Sequence, residues 1–391
     1  MSGIKINEEI YYVGIRDWDR RLFDELIPLP EGTTYNSYLV VGKEKTALID
    51  TADPDKKDIY MNYLKNTTVK KIDYIITNHA EQDHSGCLPY VLEKYHEAKV
   101  VTNQKCKDFL KELLVIDDDK FLVIGDKETL SLGGKTLQFF MTPWVHWPET
   151  MATYLVEDKI LFSCDFFGSH FATSDLFVTD ESAVYRSAKR YFAEIMLPFR
   201  IQIGKNIEVV EGLDIKMIAP SHGPIYKNPK MIIDAYKDWI SDKVKPEVLI
   251  PYTSMHGSVE NIVQYLTDKF SEKGIFVKPF NLNKTDSGEL AMALVDASTI
   301  IIGSPMVLAG PHPAVASAAV LINALRPKTR FISVVGSFGW GGKLVETLTS
   351  LTSNLKAEFI EPVLTKGIAK AEDYKRLDNL IEIIVEKNKN L

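Results

Sequence analysis

Up to about residue 245, short apolar runs alternate with turn residues at the spacing of strands in a packed sheet. Predicted strands fall at Tyr38 to Val41, Thr46 to Asp50, Tyr74 to Thr77, Lys99 to Thr102, Leu137 to Met141, Lys159 to Cys164 and Met217 to Ala219. Helical spacing intervenes at Lys57 to Lys65, Cys87 to Tyr95, Gln104 to Leu114 and Ala183 to Phe199. The strings Val41-Gly42-Lys43-Glu44 and Leu132-Gly133-Gly134-Lys135 predict antiparallel hairpins, because tight reversals favour glycine. This is the pattern of an α/β sandwich made by one long domain, residues 1–245.

A helical segment, Pro229 to Asp242, precedes Lys243-Val244-Lys245-Pro246, which reads as a linker because proline disfavours continued helix and the charges favour solvent. The texture then changes. Strands are predicted at Val248 to Tyr252, Phe276 to Asn281, Thr299 to Gly303, Arg330 to Gly336 and Glu358 to Val363. Helices follow them at Ser258 to Lys273, around Ser287 to Val295, at Pro313 to Leu325, Lys343 to Leu355 and Ala369 to Lys387. Such strict alternation predicts a doubly wound parallel sheet of flavodoxin type over residues 246–391.

Composition narrows the function classes. The chain has 391 residues, 45% hydrophobic and 25% charged, enough to bury large cores. A net charge of -7 supplies no basic field for phosphates, so neither nucleic acid nor an anionic membrane is an expected partner. No basic flank leads into a long apolar run at the start, and no apolar stretch reaches the roughly 20 residues of a membrane span. Three widely spaced cysteines, Cys87, Cys106 and Cys164, argue against a disulfide framework and fit a reducing cytoplasm. Without a Cys-x-x-Cys motif there is no rubredoxin-type iron site in this chain.

The chemistry concentrates directly after the apolar run Ile72 to Ile76. His79-Ala80-Glu81-Gln82-Asp83-His84 puts four potential metal ligands within six residues. Alternation along a tight turn would send His79 and Glu81 to one ion, and Asp83 and His84 to a second. Three further candidates each follow a predicted strand: His146 in TPWVHWPET, Asp165 in LFSCDFFG and His222 in IAPSHGPIY. From His84 the intervals run roughly sixty, twenty and sixty residues. That order resembles the metallo-β-lactamase superfamily, whose binuclear site uses a His-rich first loop, a His, a bridging Asp and a last His.

The departure from that superfamily is informative. Its hydrolases usually carry His-x-His-x-Asp-His, whereas Glu81 stands here where the second His would be. A carboxylate adds negative charge and hard oxygen donation, which favours iron over zinc and stabilises oxidised metal. Redox chemistry is therefore expected, with a zinc-dependent hydrolase carrying an accessory flavodoxin-like domain as the alternative. His170, five residues beyond Asp165, is a candidate proton donor in the substrate pocket, with simple packing as its other reading. His96 is expected on a helix facing solvent and His312 in a loop.

In the second domain, strand Val248 to Tyr252 runs into Thr253-Ser254-Met255-His256-Gly257-Ser258 and a helix. A phosphate monoester there would meet backbone N–H groups, hydroxyls and the positive end of the helix. The string resembles the FMN phosphate loop of flavodoxins, with Val259 where those loops commonly have Thr. Two more loops belong at the same edge: Gly303-Ser304-Pro305-Met306-Val307-Leu308-Ala309-Gly310 and Gly336-Ser337-Phe338-Gly339-Trp340-Gly341-Gly342. Glycines permit close backbone approach, and Trp340 or Met306 is placed to cover a flat ring. Trp340 reads equally as a loop anchor.

Together, the His-x-Glu-x-Asp-His string, His146, Asp165, His222 and the flavodoxin-like second domain resemble the flavodiiron proteins over nearly the whole chain. The resemblance implies one iron on His79, Glu81 and His146, another on Asp83, His84 and His222, and Asp165 bridging. It also implies FMN on the three loops, and reduction of dioxygen to water, of nitric oxide to nitrous oxide, or of both. In some members the residue matching His84 turns away from the metal. The phrases SHGPIY and SMHGS look most like members that take electrons from a reduced deazaflavin coenzyme; others use rubredoxin. A head-to-tail homodimer, or a dimer of dimers, is implied, with the FMN of one subunit serving the irons of another. Phe192 replaces the second Tyr of the family's Tyr-Tyr-Ala-Asn stretch.

Overall fold

The computed structural model describes residues 3–391, which divide into two compact units. The first holds the chain up to Tyr191 together with Phe199–Ile240; the second holds Phe192–Pro198 and Ser241–Leu391.

Two sheets build the first unit. One has seven strands in the order Ile4–Lys5, Ile10–Tyr12, Tyr38–Val41, Thr46–Ile49, Tyr74–Ile76, Lys99–Thr102 and Phe121–Val123. The other has five, Thr129–Ser131, Thr136–Met141, Met151–Leu155, Ile160–Cys164 and Met217–Pro220. Because successive strand residues point to opposite faces, the first sheet splits its side chains between two cores. Val40, Ala47, Ile49, Ile76 and Val101 meet Leu137, Phe139, Met151 and Phe162 of the second sheet. Their neighbours Leu39, Leu48, Ile75 and Val100 pack instead on the helical residues Tyr60, Leu64, Leu88, Val91 and Leu110. Both glycine turns form hairpins, pairing Val41 with Thr46 and Ser131 with Thr136. Gly42 is required where it stands, since a Cβ would lie 2.1 Å from the Leu132 carbonyl oxygen.

The expected helix from Ala183 to Phe199 breaks. A regular helix covers Glu181–Tyr191, a wide π turn follows at Phe192–Met196 and a tight turn at Leu197–Phe199, before a new helix at Arg200–Glu211. Pro198 has no N–H to donate back into the preceding turn and its ring crowds that turn, so the ladder cannot run through it. Strand Met151–Leu155, fully buried and without alternation, is another element the pattern did not single out.

In the second unit the parallel sheet runs Phe276–Asn281, Lys245–Tyr252, Ala297–Val307, Phe331–Phe338, and then a fifth strand in two pieces, Glu358–Phe359 and Val363–Lys366. This is the flavodoxin order 2-1-3-4-5. Its central strands bury Val248, Ile250, Ile301 and Val335 against Val259, Ile262, Leu266, Ile381 and Ile384 of the helices. Two differences from expectation bear on the site. The strand starts at Lys245, so Pro246 lies within it near its first residue, where a missing N–H is tolerated. Strands Ala297–Val307 and Phe331–Phe338 also run further than expected, carrying Pro305 to Val307, Ser337 and Phe338 out along the edge of the sheet. Among the described residues no helix is long and apolar enough to cross a membrane.

Candidate metal centre and flavin loops

The first loop is anchored before it reaches its ligands. Asn78, just past strand Tyr74–Ile76, donates to the Asp50 carboxylate from its backbone N–H at 2.8 Å and from its side-chain amide at 2.9 Å. Its side-chain oxygen accepts from Thr153 of the other sheet at 2.7 Å. Next, Gln82–Ser85 forms one helical turn, closed by the Ser85 hydroxyl on the Ala80 carbonyl at 2.7 Å. That turn, rather than alternation along an extended loop, is what puts Asp83 and His84 on a common side.

All seven candidate ligands converge, in two sets. Around Glu81 Oε2 stand His146 Nε2 at 3.0 Å and His79 Nε2 at 3.2 Å. Around His84 and His222, Asp83 places Oδ1 3.3 Å from His84 Nε2 and Oδ2 3.0 Å from His222 Nε2. Asp165 divides itself between them. Its Oδ2 lies 3.5 Å from His79 Nε2 and 3.6 Å from His146 Nε2, while its Oδ1 lies 3.0 Å from His84 Nε2 and 3.4 Å from His222 Nε2. His84 thus faces into the cluster here.

The donor set fits a pair of ions. Donors about 2.1 Å from one ion stand roughly 3.0 to 3.4 Å apart, for octahedral and tetrahedral angles respectively. Hydrogen bonding alone does not account for the cluster: Asp83 Oδ1 and Oδ2 and both ring nitrogens of His84 in the second set, and Asp165 Oδ2 facing the first, are buried with no hydrogen-bond partner. Orphaned polar atoms of this kind are costly unless something else satisfies them.

The electrostatics are those of imidazoles and carboxylates locked together. Burial opposes the charge on His79, but hydrogen bonds to Glu149 and Glu81 carry it well above the ordinary histidine value. His222 is likewise raised, to about 10, by Asp165 and Asp83 against its burial. Asp165 and Glu81 are buried too, yet the facing histidines hold both below the usual carboxylate range. These protons occupy the atoms an ion would take, so metal uptake would release them.

His170 lies beside this cluster, its ring 4.8 Å from those of His222 and Tyr191. Burial first, and then the charge of His222, pushes it well below the ordinary value, so the ring is neutral. The Thr33 hydroxyl meets Nδ1 at 2.8 Å, while Nε2 is buried without a partner.

Three contacts were not read from the sequence. Glu149, in the same string as His146, reaches His79 Nδ1 at 2.6 Å and the Ala80 N–H at 3.1 Å. Tyr191 donates to Asp165 Oδ1 at 2.8 Å. The Thr34 carbonyl receives His222 Nδ1 at 2.6 Å, which fixes that ring with Nε2 toward Asp83 and Asp165. A carboxylate three residues past a candidate ligand is a signal that could have found Glu149. The carbonyl left none. A cavity of about 430 Å³ leads to Glu81 and Asp83, lined also by Arg20, Phe23, Asp24, Asp53, Leu113 and Trp147.

In the second unit the three loops lie at the carboxyl ends of adjacent strands. Gly257, at φ +84°, caps helix Ser258–Glu272, and Ser254 Oγ accepts from Glu260 N at 3.2 Å. Met255 and His256 are exposed, whereas Val259 turns its side chain into the core and offers only its backbone. The buried Thr253 hydroxyl has no partner. Leu308 and Ala309, both left-handed, form a two-residue turn that pairs Val307 with Gly310. Such a turn normally takes Asn or Gly, so two ordinary side chains there hold strain of the kind found at ligand sites. Lys343 N bonds the Ala309 carbonyl at 2.8 Å, and a Cβ on Gly342 would sit 2.5 Å from Met306 Sδ, so the second and third loops touch. Ser337 is fixed by the Gly367 carbonyl at 2.8 Å. Around Gly257, Gly310, Gly339 and Gly341 there is open space, and Trp340 is 72% exposed. An orphaned hydroxyl, free helix-end donors and an exposed indole fit a phosphorylated, flat-ringed group such as FMN. Of the remaining histidines, His96 is exposed in a turn beyond its helix, and His312 caps helix Pro313–Leu325 through Nδ1.

A two-set carboxylate and histidine centre on a metallo-β-lactamase-like unit, joined to a flavodoxin-like unit, defines a class that known proteins share. The family profile for ODP family beta lactamases matches residues 33–223. A nitric oxide reductase of Moorella thermoacetica is 34% identical over 382 residues, covering 95% of this chain and 96% of the relative. A coenzyme F420H2 oxidase of Methanothermobacter marburgensis is 34% identical over 361 residues, 89% of each chain. The solved rubredoxin oxygen:oxidoreductase of Desulfovibrio gigas superposes with a TM-score of 0.95 at 30% identity, covering 99% of both chains. The chain belongs to the flavodiiron protein family, a family of oxidoreductases.

Proposed function

We propose that this chain holds two iron ions and one FMN, and reduces dioxygen to water, nitric oxide to nitrous oxide, or both, in the cytoplasm. The observation that carries this reading is the division of Asp165, one oxygen toward each of two sets of two imidazoles and one carboxylate. His79, Glu81 and His146 would hold one ion, Asp83, His84 and His222 the other, with Asp165 between them. Ser254 to Val259, Pro305 to Gly310 and Ser337 to Gly342 would hold FMN.

Bound iron would supply paired ferrous centres for a diatomic substrate, and FMN the further electrons that full reduction of dioxygen needs. The surrounding residues orient and exclude. Glu149 and the Thr34 carbonyl each fix a ring so that Nε2 faces inward. The Trp147 ring stands nearly perpendicular to that of His79, their centres 5.0 Å apart, and helps wall the cavity. His170, whose Nδ1 lies 2.8 Å from the Thr33 hydroxyl and whose Nε2 is left without a partner beside His222, is the proposed proton donor.

The electron donor is a reduced deazaflavin coenzyme or rubredoxin, a choice supported by similarity to the Methanothermobacter coenzyme F420H2 oxidase and the Desulfovibrio rubredoxin oxygen:oxidoreductase. The working form is a homodimer, head to tail, or a dimer of dimers. The test is metal analysis with an optical spectrum, then anaerobic reduction by each donor and exposure to each gas while flavin reoxidation is followed. Iron and a flavin band, with reoxidation by one gas or both, support the reading; zinc without colour would return the chain to the hydrolases. Asp165→Ala should abolish gas consumption with FMN still bound, and unchanged consumption would exclude a paired-iron reaction.

A further inference from the structure

The two ligand sets are chemically alike, each with two imidazoles, one carboxylate and one oxygen of Asp165. Their outer contacts are not alike. His79 presses Nδ1 onto a carboxylate, Glu149, at 2.6 Å, and Glu149 is held in place by the Ala80 N–H at 3.1 Å and, through its carbonyl, by the Asn103 amide at 2.6 Å. On the other side, His222 Nδ1 meets a neutral carbonyl at 2.6 Å, and His84 Nδ1 is buried without a partner. The bridging carboxylate is polarised as well, since Tyr191 donates at 2.8 Å to Oδ1, the oxygen that faces His84 and His222. The buried Asp50 carboxylate hydrogen-bonds Asn78 and Ser221 and no ligand ring.

A carboxylate on the far nitrogen pushes electron density into a ligating imidazole, and a hydrogen bond to a ligating oxygen withdraws it. Both asymmetries act in one direction. We propose that Glu149 is a positioning residue that makes the two ions inequivalent, giving the ion on His79, Glu81 and His146 the lower reduction potential, so that it is the first of the pair to be oxidised. Tyr191 reinforces the difference from the opposite side. The inference rests on the paired-iron reading above and adds the order in which the pair gives up its electrons.

Glu149→Gln tests it, because the amide oxygen can still accept from His79 while the charge is gone. The iron-loaded protein is titrated anaerobically, and the half-reduced state, one ferric and one ferrous ion, is followed by EPR, with Mössbauer spectra counting the ions. In the unaltered chain the two steps should be separate. In Glu149→Gln the window of potential over which the half-reduced state persists should narrow. Metal-free protein of that variant should bind its weaker ion roughly 10- to 100-fold less tightly, as loss of such outer partners commonly does. Tyr191→Phe should narrow the window too, by strengthening donation to the other ion, and serves if the Gln variant fails to fold. An unchanged window in a variant holding two irons and FMN overturns the inference and leaves the paired-iron reading standing. An unaltered chain that takes up fewer than two irons overturns that reading, and this inference with it.

Discussion

In the proposed reading Glu81 selects iron, because it replaces an imidazole by a charged, hard oxygen at the position where hydrolases of this fold carry His. Glu81→His rebuilds His-x-His-x-Asp-His, and protein made with both metals supplied should shift from iron toward zinc and lose its gas-consuming activity; metal analysis of the purified chain checks it. A second prediction concerns His170. If its ring passes a proton in turnover, His170→Gln should lower the rate by roughly 100-fold or more while leaving iron content unchanged. A change within twofold would return His170 to packing against Tyr191 and His222. The seven candidate ligands could be singled out in the sequence because metal chemistry restricts the residue types and crowds four of them into one short string. The partners behind them could not. Glu149 becomes a contact of His79 only when the loop after strand Thr136–Met141 closes over the first loop, and a carbonyl such as Thr34's carries no side-chain signature at all.

At the scale of elements, the loop-to-helix junction at Gly257 has the most definite consequence. Its φ of +84° lies where an L side chain costs roughly 1 kcal/mol or more, although the space around it is open. Gly257→Ala should therefore fold and keep both irons, yet bind FMN about fivefold less tightly, since the turn must relax away from the geometry that aims the Ser258 and Val259 N–H groups. Flavin fluorescence quenching measures this directly, and Gly257→Asn should recover part of the loss because Asn tolerates that region. Elements with strong local signals were readable, including both glycine hairpins and the alternating strands and helices of the second unit. Those that depend on distant partners were not. Met151–Leu155 buries both faces and so shows no alternation, and the short strands before Tyr38 have too few residues for a period to emerge.

For the whole molecule, the second unit's fold followed from element order, since a run of parallel strands separated by helices admits few topologies, whereas the first unit's, with its antiparallel hairpins, needed the order of its candidate ligands as well. Quaternary arrangement has no such local code. It enters through family resemblance, as a head-to-tail pair in which the flavin of one subunit serves the irons of another, and it makes a prediction that composition and folding cannot imitate. Asp165→Ala removes the paired-iron reaction from a chain that keeps its FMN; Gly303→Phe, in the strand beneath the phosphate loop where even a Cβ would lie 2.8 Å from the Tyr252 Cβ, should remove FMN from a chain that keeps its irons. Each alone should be inactive. When the two are unfolded, mixed in equal amounts and reassembled, half the dimers pair unlike chains, and each of these holds one intact flavin facing one intact iron pair, so activity should return to about a quarter of the unaltered level. If the flavin and irons that work together belonged to the same chain, no dimer in the mixture would contain a working set, and the mixture would stay as inactive as its components.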